Sequence, residues 1–360
     1  MKNIYLYGID NVKGGIENYC LTLVKGIKEK DSSINFHIIT EYDDFTFKNI
    51  FLDKLNCKYT VIPKKKKHPF KYVKAILALL NDADENDLLQ INLMSYKNFL
   101  VLHAAKKAKI KTLIVGHATR TNNFISNFIH KFFRLFYKKF GVKIANNQNV
   151  KNHMFGKNCK NCKIIEFGFD STKCVFNNEK RNEIRTLYNI QKDEFVIGQV
   201  GRISKAKNQA FSLKIMKNLQ SCKNIKLLVF GFDKKNKFSL YLEKHNIKNV
   251  FYCGEINNIN EIYNAFDLFI FPSLFESAGY ALYESLSNGC PSIASNNVPL
   301  DGIASNILQI CKLDLNEWIT KIRECYEAKK VRSGSKLIIR TINEQISDYY
   351  NLYLNYLNNL

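Results

Sequence analysis

Residues 268–299, LFIFPSLFESAGYALYESLSNGCPSIASNNVP, decide the fold of this chain. The apolar run Leu268–Phe271 is followed by a turn of small residues, a helical pattern and a second apolar run over residues 291–294. A strand, a helix and a second strand in this order are typical of two parallel strands joined by a crossover helix. The stretch therefore predicts a parallel α/β sheet.

The same alternation continues through the whole chain, which is 360 residues long. Further apolar runs predict strands at residues 3–7, 36–40, 88–93 and 112–115 in the first half, and at residues 195–200, 225–230 and 250–253 in the second half. This length suits two α/β domains better than one. We therefore expect two Rossmann-like domains facing each other across a cleft.

The boundary between the domains is predicted near residue 170, because residues 167–189 show only weak hydrophobic periodicity. The first domain would then cover residues 1–169 and the second domain residues 170–337. Residues 338–360 carry aromatic and apolar side chains at helical spacing, which predicts a C-terminal helix. We expect this helix to pack back on the first domain.

Composition indicates a folded protein with an anionic partner. The apolar share of 46% is enough to build two cores, and the formal net charge is +22. Such a charge fits nucleic acid, an acidic membrane face or a phosphorylated small molecule, and it also fits an ordinary lysine-rich surface. No nucleic-acid-binding module is recognisable, so nucleic acid ranks last among these partners.

No targeting signal or membrane span is evident in the sequence. The chain begins with MKNIYLYGIDNVKGG, a predicted strand and glycine-rich turn, and its ten cysteines are scattered. We expect a cytoplasmic protein with reduced thiols. Cys159 and Cys162 have the spacing of metal ligands, with His153 nearby, but no second pair follows, so we expect no metal site there.

Two glutamates accompany the helix predicted within residues 268–299. The turn before this helix puts free backbone N–H groups at the helix start, where an anion is favoured. Glu276 would lie near that start and Glu284 about two turns further on. Their carboxylates suit hydrogen bonds from sugar hydroxyls, although an isolated pair would be read as ordinary solvated glutamates.

Basic residues follow the predicted strand at residues 195–200. Gly201 ends that strand, and Arg202, Lys205 and Lys207 come directly after it. A glycine lets the backbone approach a ligand, and the cations can neutralise a diphosphate. The alternative is a surface turn with solvated charges. Near the start of the chain, Gly14 and Gly15 form a similar but weaker turn, which lacks the spacing of a dinucleotide-binding loop.

These motifs, in this order, resemble the retaining glycosyltransferases of family four, which have the two-domain GT-B fold, and especially the branch that acts in capsule and exopolysaccharide synthesis. The resemblance runs nearly end to end. It is carried by GGIEN at residues 14–18, residues 92–120 with their strand ending in His117, FGFD at 167–170, VGRISKAKNQ at 200–209, and residues 271–299.

The resemblance implies a donor site in the second domain. Arg202 and Lys207 would hold the diphosphate and stabilise the charge that develops as it leaves. Glu284 would bind the ribose hydroxyls. Glu276 would hold the donor sugar and its phosphates, together with the backbone of Ala278, Gly279 and Tyr280.

In the first domain, the resemblance implies that Gly15 approaches the donor phosphate and that His117 faces the reacting sugar. The related capsule enzymes often carry a second histidine and an asparagine after that strand, whereas here Ala118, Thr119 and Arg120 follow. A structural histidine at the strand end is therefore the alternative. Two further departures from the family pattern are the FGFD turn and Gly231, which lacks the usual second glycine.

The reaction implied is a retaining, metal-independent hexosyl transfer from a nucleotide-diphosphate sugar, with UDP the expected nucleotide and with no cofactor. The acceptor would be a saccharide or a lipid-linked saccharide in surface polysaccharide synthesis. The alternative function is a catalytically silent homologue that acts as a partner subunit of a polysaccharide assembly complex.

Residues 124–140, FISNFIHKFFRLFYKKF, form an amphipathic pattern. Seven apolar side chains fall on one helical face, and the basic residues lie largely elsewhere. Together with the lysines at residues 64–67, this pattern suits peripheral contact with an anionic membrane, at its inner face. A buried aromatic face with a solvated basic face explains the pattern equally well.

Overall fold

The computed structural model describes residues 2–12, 14–121, 123–222, 224–234, 236–245, 247–256, 258–300, 303–328 and 337–357. The chain separates into two compact units. The first unit contains the chain up to Phe167 and the C-terminal segment from Ile342, and the second unit is Gly168–Thr341. The second unit is therefore inserted into the first.

The first unit is built on a seven-stranded parallel sheet with the strand order β3-β2-β1-β4-β5-β6-β7. The strands are β1 (Lys2–Tyr7), β2 (Ile34–Thr40), β3 (Lys58–Val61), β4 (Leu88–Leu93), β5 (Lys111–Gly116), β6 (Val142–Ala145) and β7 (Cys162–Ile164). Its helices are α1 (Gly15–Lys30), α2 (Pro69–Asn81), α3 (Phe99–Ala108), α4 (Phe124–Phe136), α5 (Gln148–Met154) and the last helix of the chain, Ile342–Leu357.

The second unit is built on a six-stranded parallel sheet with the strand order β10-β9-β8-β11-β12-β14, and β13 and β15 form a separate antiparallel pair. The strands are β8 (Phe195–Val200), β9 (Ile225–Phe230), β10 (Val250–Gly254), β11 (Leu268–Phe271), β12 (Ser292–Ser295), β13 (Ile303–Ser305), β14 (Leu308–Cys311) and β15 (Leu337–Ile339). The helices are α6 (Asn178–Leu187), α7 (Gln209–Asn218), α8 (Lys237–Lys244), α9 (Ile259–Ile262), α10 (Tyr280–Ser287) and α11 (Leu315–Ala328).

The C-terminal helix, α12 (Ile342–Leu357), completes the core of the first unit. Tyr349, Leu352 and Tyr353 are buried in the same cluster as α1 and the central strands. The hydroxyl of Tyr353 donates to Gln90 Oε1 at 2.6 Å, and Gly26 of α1 packs closely against Ile346. A side chain in place of Gly26 would displace α12.

The C-terminal helix is shorter than the sequence predicts. Residues 337–339 form strand β15, the helix begins at Ile342, and residues 358–360 lie outside the described part of the chain. Residues 167–189, which lack a clear period in the sequence, contain helix α6. This helix is mostly polar and exposed, which explains its weak apolar periodicity.

Helix α4 ends at Phe136, so Phe140 lies outside the helix predicted to include it. Only His130 of this helix is buried, and its apolar face is open to solvent. The buried-core reading of residues 124–140 is therefore wrong for most of that face. Across the described residues, every helix is too short or too polar to span a bilayer.

Candidate functional site

The candidate site lies where the order of strands reverses in the sheet of the second unit. Strands β8 and β11 are neighbours there, and each continues into a loop and a helix at its carboxyl end. Parallel α/β sheets bind their ligands at such a switch point, because the loops on either side diverge and leave a crevice. The two loops, residues 201–208 and 272–279, carry five of the predicted second-domain residues, and the other two, Tyr280 and Glu284, lie on α10 directly after the second loop.

The two loops are hydrogen-bonded to each other. The backbone N–H of Leu274 donates to Ala206 O at 2.8 Å, and the side-chain amide of Asn208 donates to Pro272 O at 3.1 Å. These bonds fix the spacing between the loops before any ligand arrives. The site is therefore preorganised, which lowers the ordering cost of binding.

Two glutamine side chains brace the first loop by hydrogen bonds to its backbone. Gln209 accepts from the Ser204 N–H at 3.2 Å and donates to Arg202 O at 3.1 Å. Gln199, at the end of β8, donates to Lys207 O at 2.9 Å. Both glutamines are buried, so the backbone that carries Arg202 and Lys207 is held from inside the unit.

Lys207 and Glu276 form an ion pair across the two loops. Lys207 Nζ lies 2.7 Å from Glu276 Oε1, and their side chains are 21% and 12% exposed. The ammonium also lies 4.6 Å from the centre of the Phe271 ring. The Lys207 side chain runs over Gly201, where an added Cβ would lie only 2.8 Å from Lys207 Cε. Gly201 also has a φ of +144°, so this position needs glycine for both reasons.

Arg202 and Lys205 differ from Lys207 in being exposed. Within the described residues neither forms an ion pair. Two cations on a braced loop, beside a half-buried lysine, make a favourable place for a diphosphate. The predicted grouping of Arg202, Lys207 and Glu276 is thus present in one part of the second unit.

Helix α10 begins at Tyr280, directly after Gly279, whose φ is +82°. The Leu282 N–H donates to Gly279 O at 2.8 Å, and Ala278, which precedes the helix, is buried. Glu276 precedes the helix by four residues, so it belongs to the loop and not to the helix start predicted for it. Glu284 lies in the second turn.

Glu284 is held by a buried tyrosine. Its Oε2 accepts a hydrogen bond of 2.5 Å from the hydroxyl of Tyr263, which is fully buried. Burial raises the pKa of Glu284 to about 7, while the Tyr263 hydrogen bond and the Lys207 charge act to lower it. Near neutral pH this carboxyl is therefore divided between the acid and the carboxylate.

Gly231 is a single glycine at the end of β9, where the family that the sequence resembles usually has two. Its φ is +137°, and an added Cβ would lie 2.4 Å from Gly201 O, so the two strand ends nearly touch. Phe232 follows it and is 48% exposed, and buried Asp233 accepts from the Phe238 N–H of α8 at 2.7 Å. An aromatic side chain therefore stands where the family pattern has a glycine.

In the first unit, Gly15 is the first residue of α1. An added Cβ there would meet nothing within 4 Å, so the space beside the helix start is open. Buried Glu17 folds back and accepts from the Asp10 N–H at 3.3 Å. Burial raises the pKa of Glu17, and backbone hydrogen bonds to the carboxylate oppose that rise.

His117 follows strand β5 and is buried. Its Nε2 lies 3.0 Å from Asn92 Oδ1, and the Asn92 amide donates to Tyr7 O at 3.1 Å. Because Oδ1 accepts, His117 carries its proton on Nε2. Burial lowers the pKa of His117 to about 3, so the ring is neutral at physiological pH. It can take part in hydrogen bonds but cannot supply a cation.

The cysteines and histidines form no evident metal site. All ten cysteines are free thiols, and burial raises the pKa of Cys162 to about 12. Among the residues that the structure describes, no group of three His, Cys, Asp or Glu side chains is placed to hold a metal ion.

Three side chains that position the site were not identified from the sequence: Gln199, Gln209 and Tyr263. Gln199 sits in an otherwise apolar strand, and an amide there is a usable signal, because a buried polar side chain needs a partner. Tyr263 lies 21 residues before Glu284, and nothing in the local pattern connects the two.

Part of this chain matches a known protein family. Residues 180–306 match the family described as Glycosyl transferases group 1. EpsF of Bacillus subtilis (strain 168), whose glycosyltransferase name is provisional, is 27% identical over 161 residues, covering 44% of this chain and 41% of EpsF. The capsular polysaccharide biosynthesis glycosyltransferase CapM of Staphylococcus aureus is 30% identical over 168 residues, covering 42% of this chain and 43% of CapM. The chain thus spans about two fifths of these relatives.

Solved structures resemble the chain over nearly its whole length. A glycosyltransferase from Rickettsia africae has a TM-score of 0.79 at 17% identity, with 100% of this chain and 99% of that one covered. Anabaena HepE in complex with UDP-glucose has a TM-score of 0.71 at 18% identity, with 99% and 97% covered. The predicted fold class, two parallel α/β domains, is confirmed. Residues 180–306 therefore match the group 1 glycosyl transferase family, within a chain that has the GT-B fold of solved glycosyltransferases.

Proposed function

We propose that this protein is a retaining glycosyltransferase that moves a sugar from a nucleotide-diphosphate donor to a saccharide or lipid-linked saccharide acceptor in surface polysaccharide synthesis. The observation that carries the proposal is the Lys207–Glu276 ion pair at the β8/β11 switch point, with Arg202 on the same loop and Glu284 on α10. The family match over residues 180–306 supports it, because that range contains all four residues.

The donor is proposed to be a UDP-sugar. HepE, which shares the fold, was crystallised with UDP-glucose, and this supports the choice of base. Arg202 and Lys207 would bind the diphosphate. Glu284 would accept from the ribose hydroxyls, with the Tyr263 hydroxyl fixing its orientation. Glu276 would hold the donor sugar and its phosphates, together with the backbone of Ala278, Gly279 and Tyr280.

In the proposed reaction, the bond between the anomeric carbon and the diphosphate oxygen breaks while the acceptor hydroxyl attacks that carbon on the same face. The electron pair of the broken bond stays on the diphosphate, which takes the acceptor proton. Arg202 and Lys207 stabilise the leaving charge, so we propose that neither a metal ion nor a cofactor is required.

The first unit would contribute Gly15, whose open surroundings allow a phosphate to approach, and His117. Because His117 is neutral, its proposed role is a hydrogen bond to the reacting sugar and not acid catalysis. A lipid-linked acceptor would bring the enzyme to the inner, cytoplasmic face of an anionic membrane, where its ten cysteines remain reduced.

The proposal is tested by thermal unfolding of the purified protein with UDP, GDP, ADP and their sugars, first without metal and then with Mg²⁺. A donor that binds the folded state raises the Tm by mass action. We expect UDP and UDP-sugars to raise it without metal. Glu284→Ala should abolish the shift, whereas Glu261→Ala, on an exposed side chain of the same unit, should not.

Absence of a shift with every nucleotide would overturn the proposal and support a catalytically silent partner subunit. A shift that appears only with Mg²⁺ would overturn the metal-independent reaction. A shift with GDP or ADP in place of UDP would overturn the choice of base but leave the transferase.

A further inference from the structure

Helix α4 of the first unit carries an exposed apolar face. Twenty large apolar side chains are exposed among the described residues, and six of them belong to this 13-residue helix. Their exposed fractions run from 46% to 85%. They are Phe124, Ile125, Phe128, Phe132, Leu135 and Phe136. At 100° per residue they fall within an arc of about 120°. Patches of this kind mark interaction sites in folded proteins.

The orientation of α4 is the reverse of an ordinary surface helix. His130, which lies opposite the apolar arc, is its one buried residue. His130 Nδ1 accepts from the Tyr96 N–H at 3.3 Å, and its Nε2 lies 3.1 Å from His153 O. An amphipathic helix normally buries its apolar side. Here the polar side is anchored on the protein.

Further contacts hold α4 in this orientation. Lys97 donates to Ser126 Oγ at 3.0 Å, and Arg134 donates to His153 O at 2.9 Å. At the edge of the apolar face, the Phe133 ring stacks on Phe99 with centroids 3.8 Å apart. Rotating the apolar face inward would break all of these contacts. The exposed face is thus built into the fold.

The surroundings of α4 are strongly basic. Residues 88–165 contain fifteen Lys or Arg and no Asp or Glu. Lys131, Lys138 and Lys139 are exposed on or just after the helix. An open cavity of about 530 Å³ at the start of the helix is lined by Arg120 and Lys131. An apolar stripe within a segment that has basic but no acidic side chains complements a surface that is apolar inside and anionic outside.

We propose that the exposed face of α4 docks the first unit on an anionic lipid bilayer. The aromatic side chains enter the boundary between headgroups and acyl chains, and the flanking lysines contact lipid phosphates. An acidic protein would satisfy the charges alone, and a second copy of this chain would bring the same positive charge to the contact. A bilayer satisfies both the apolar and the basic features.

The test is sedimentation of the full chain with vesicles, without donor or acceptor, so that its outcome does not depend on the proposed transfer activity. Vesicles of phosphatidylglycerol with phosphatidylcholine are compared with phosphatidylcholine alone. We expect the protein to bind the anionic vesicles and to partition to the neutral vesicles more weakly, by about tenfold or more. Equal binding to both, or none to either, would overturn the proposal.

The matched variants replace exposed side chains only. Phe124→Gln with Phe128→Gln should lower partitioning to anionic vesicles by about tenfold or more, because two aromatic insertions are lost. The control, Phe232→Gln with Leu240→Gln, removes two exposed apolar side chains from the second unit and should bind as the unaltered protein does. Retained vesicle binding by the α4 variant would refute the docking face.

A gain-of-signal variant covers the case in which the double variant fails to fold. Phe128→Trp keeps the face apolar, and the one native tryptophan, Trp318, is buried in the second unit. We expect the new emission to shift to the blue and to be quenched by brominated acyl chains. No change on adding vesicles would overturn the proposal, as would a concentration-dependent dimer that occupies this face instead.

Discussion

The carboxyl edges of the two sheets have the same topology but opposite chemistry. In the first unit, Asn92 and His117 are buried and bonded to each other, and their other partners, which include the Tyr7 backbone and the Gln90 and Tyr19 side chains, also lie within that unit. In the second unit, Arg202 and Lys205 point into solvent, and Lys207 shares one half-buried ion pair. At the first edge these two polar side chains are hydrogen-bonded within the protein, while the second edge keeps charge available for an anion.

This contrast distinguishes side chains that stabilise the fold from side chains that are available to bind a ligand. A buried hydrogen-bond network stabilises one arrangement and is costly to break. An exposed cation contributes little to stability and can bind a ligand without first losing a partner. Substitutions at the first edge should therefore change stability, and substitutions at the second edge should change turnover.

The largest effect is expected for Lys207→Ala. The transition-state barrier should rise by about 2–4 kcal/mol, since the cation that we propose stabilises the leaving charge is lost. The free energy of unfolding should fall by less, because the Lys207–Glu276 pair remains partly exposed. Steady-state kinetics and urea unfolding measure the two quantities. A larger loss of stability than of turnover would assign Lys207 to the fold.

Arg202→Ala should raise the barrier by a similar amount, about 2–4 kcal/mol, with no measurable change in unfolding free energy, because the side chain is exposed. Lys205→Ala, which removes the other exposed cation of this loop, should also leave the unfolding free energy within about 0.5 kcal/mol. The measurement is kcat/KM for both variants. Normal turnover in both Arg202→Ala and Lys207→Ala would contradict the proposed role of this loop.

His117→Ala tests the other edge. Loss of the ring leaves Asn92 Oδ1 buried without this partner, so the unfolding free energy should fall by about 1–3 kcal/mol. Urea unfolding measures the stability. The proposed contact with the sugar is checked by kcat, measured at urea concentrations and temperatures where the variant is still folded. Unchanged stability would contradict the satisfied network. A fall in kcat in the folded protein would support a hydrogen bond to the sugar.

The smallest effect is a pH dependence of nucleotide binding. With the pKa of Glu284 at about 7, the carboxylate that we propose accepts from ribose hydroxyls is lost as pH falls, so the Kd for UDP should rise by up to about tenfold per pH unit below pH 7. Protonation of Glu284 has the opposite effect on the stability of the folded protein, which it increases. Because the pKa of Glu284 in the folded protein is above its ordinary value of 4.5, the contribution of this group to stability is complete below pH 4.5. It declines as the pH rises towards 7.

Glu284→Gln is the control for this dependence. Titration calorimetry across pH should show a flatter profile for the variant, and the titration of the UDP phosphate cancels because both proteins share it. The same slope in both proteins would show that Glu284 does not carry the effect.

The strands that the sequence predicts are all present in the structure, each within about two residues of its expected ends. Most of them are central and apolar, so the pattern is strong, and the exception is β10, which lies at an edge of its sheet. Of the strands that were missed, β3 and β7 are short and lie at sheet edges with exposed side chains, whereas β6 is mostly buried inside the sheet but has only four residues. Their pairing depends on neighbours distant in sequence, which a local pattern does not contain.

The candidate site was predictable where its residues are adjacent in sequence to a strand end. The sequence places Arg202, Lys207 and Glu276 after β8 and β11, and the structure pairs Lys207 with Glu276 and puts Arg202 on the loop that carries Lys207. The partner of Glu284 was not predictable, since the Tyr263 hydroxyl reaches it from a separate element. The exposure of α4 was also undecided, because a helical period shows which residues share a face but not which face is covered.

The return of the chain into its first unit has a consequence for synthesis. On the ribosome, strands β1 to β7 are made first, and the second unit is complete before α12 leaves the exit tunnel. Until then Tyr349, Leu352 and Tyr353 are missing from the first core, and Gly26 of α1 faces an unfilled groove. The unit that begins first is therefore the last to close, and a nascent chain stalled before residue 342 would hold a finished second unit beside an incomplete first one.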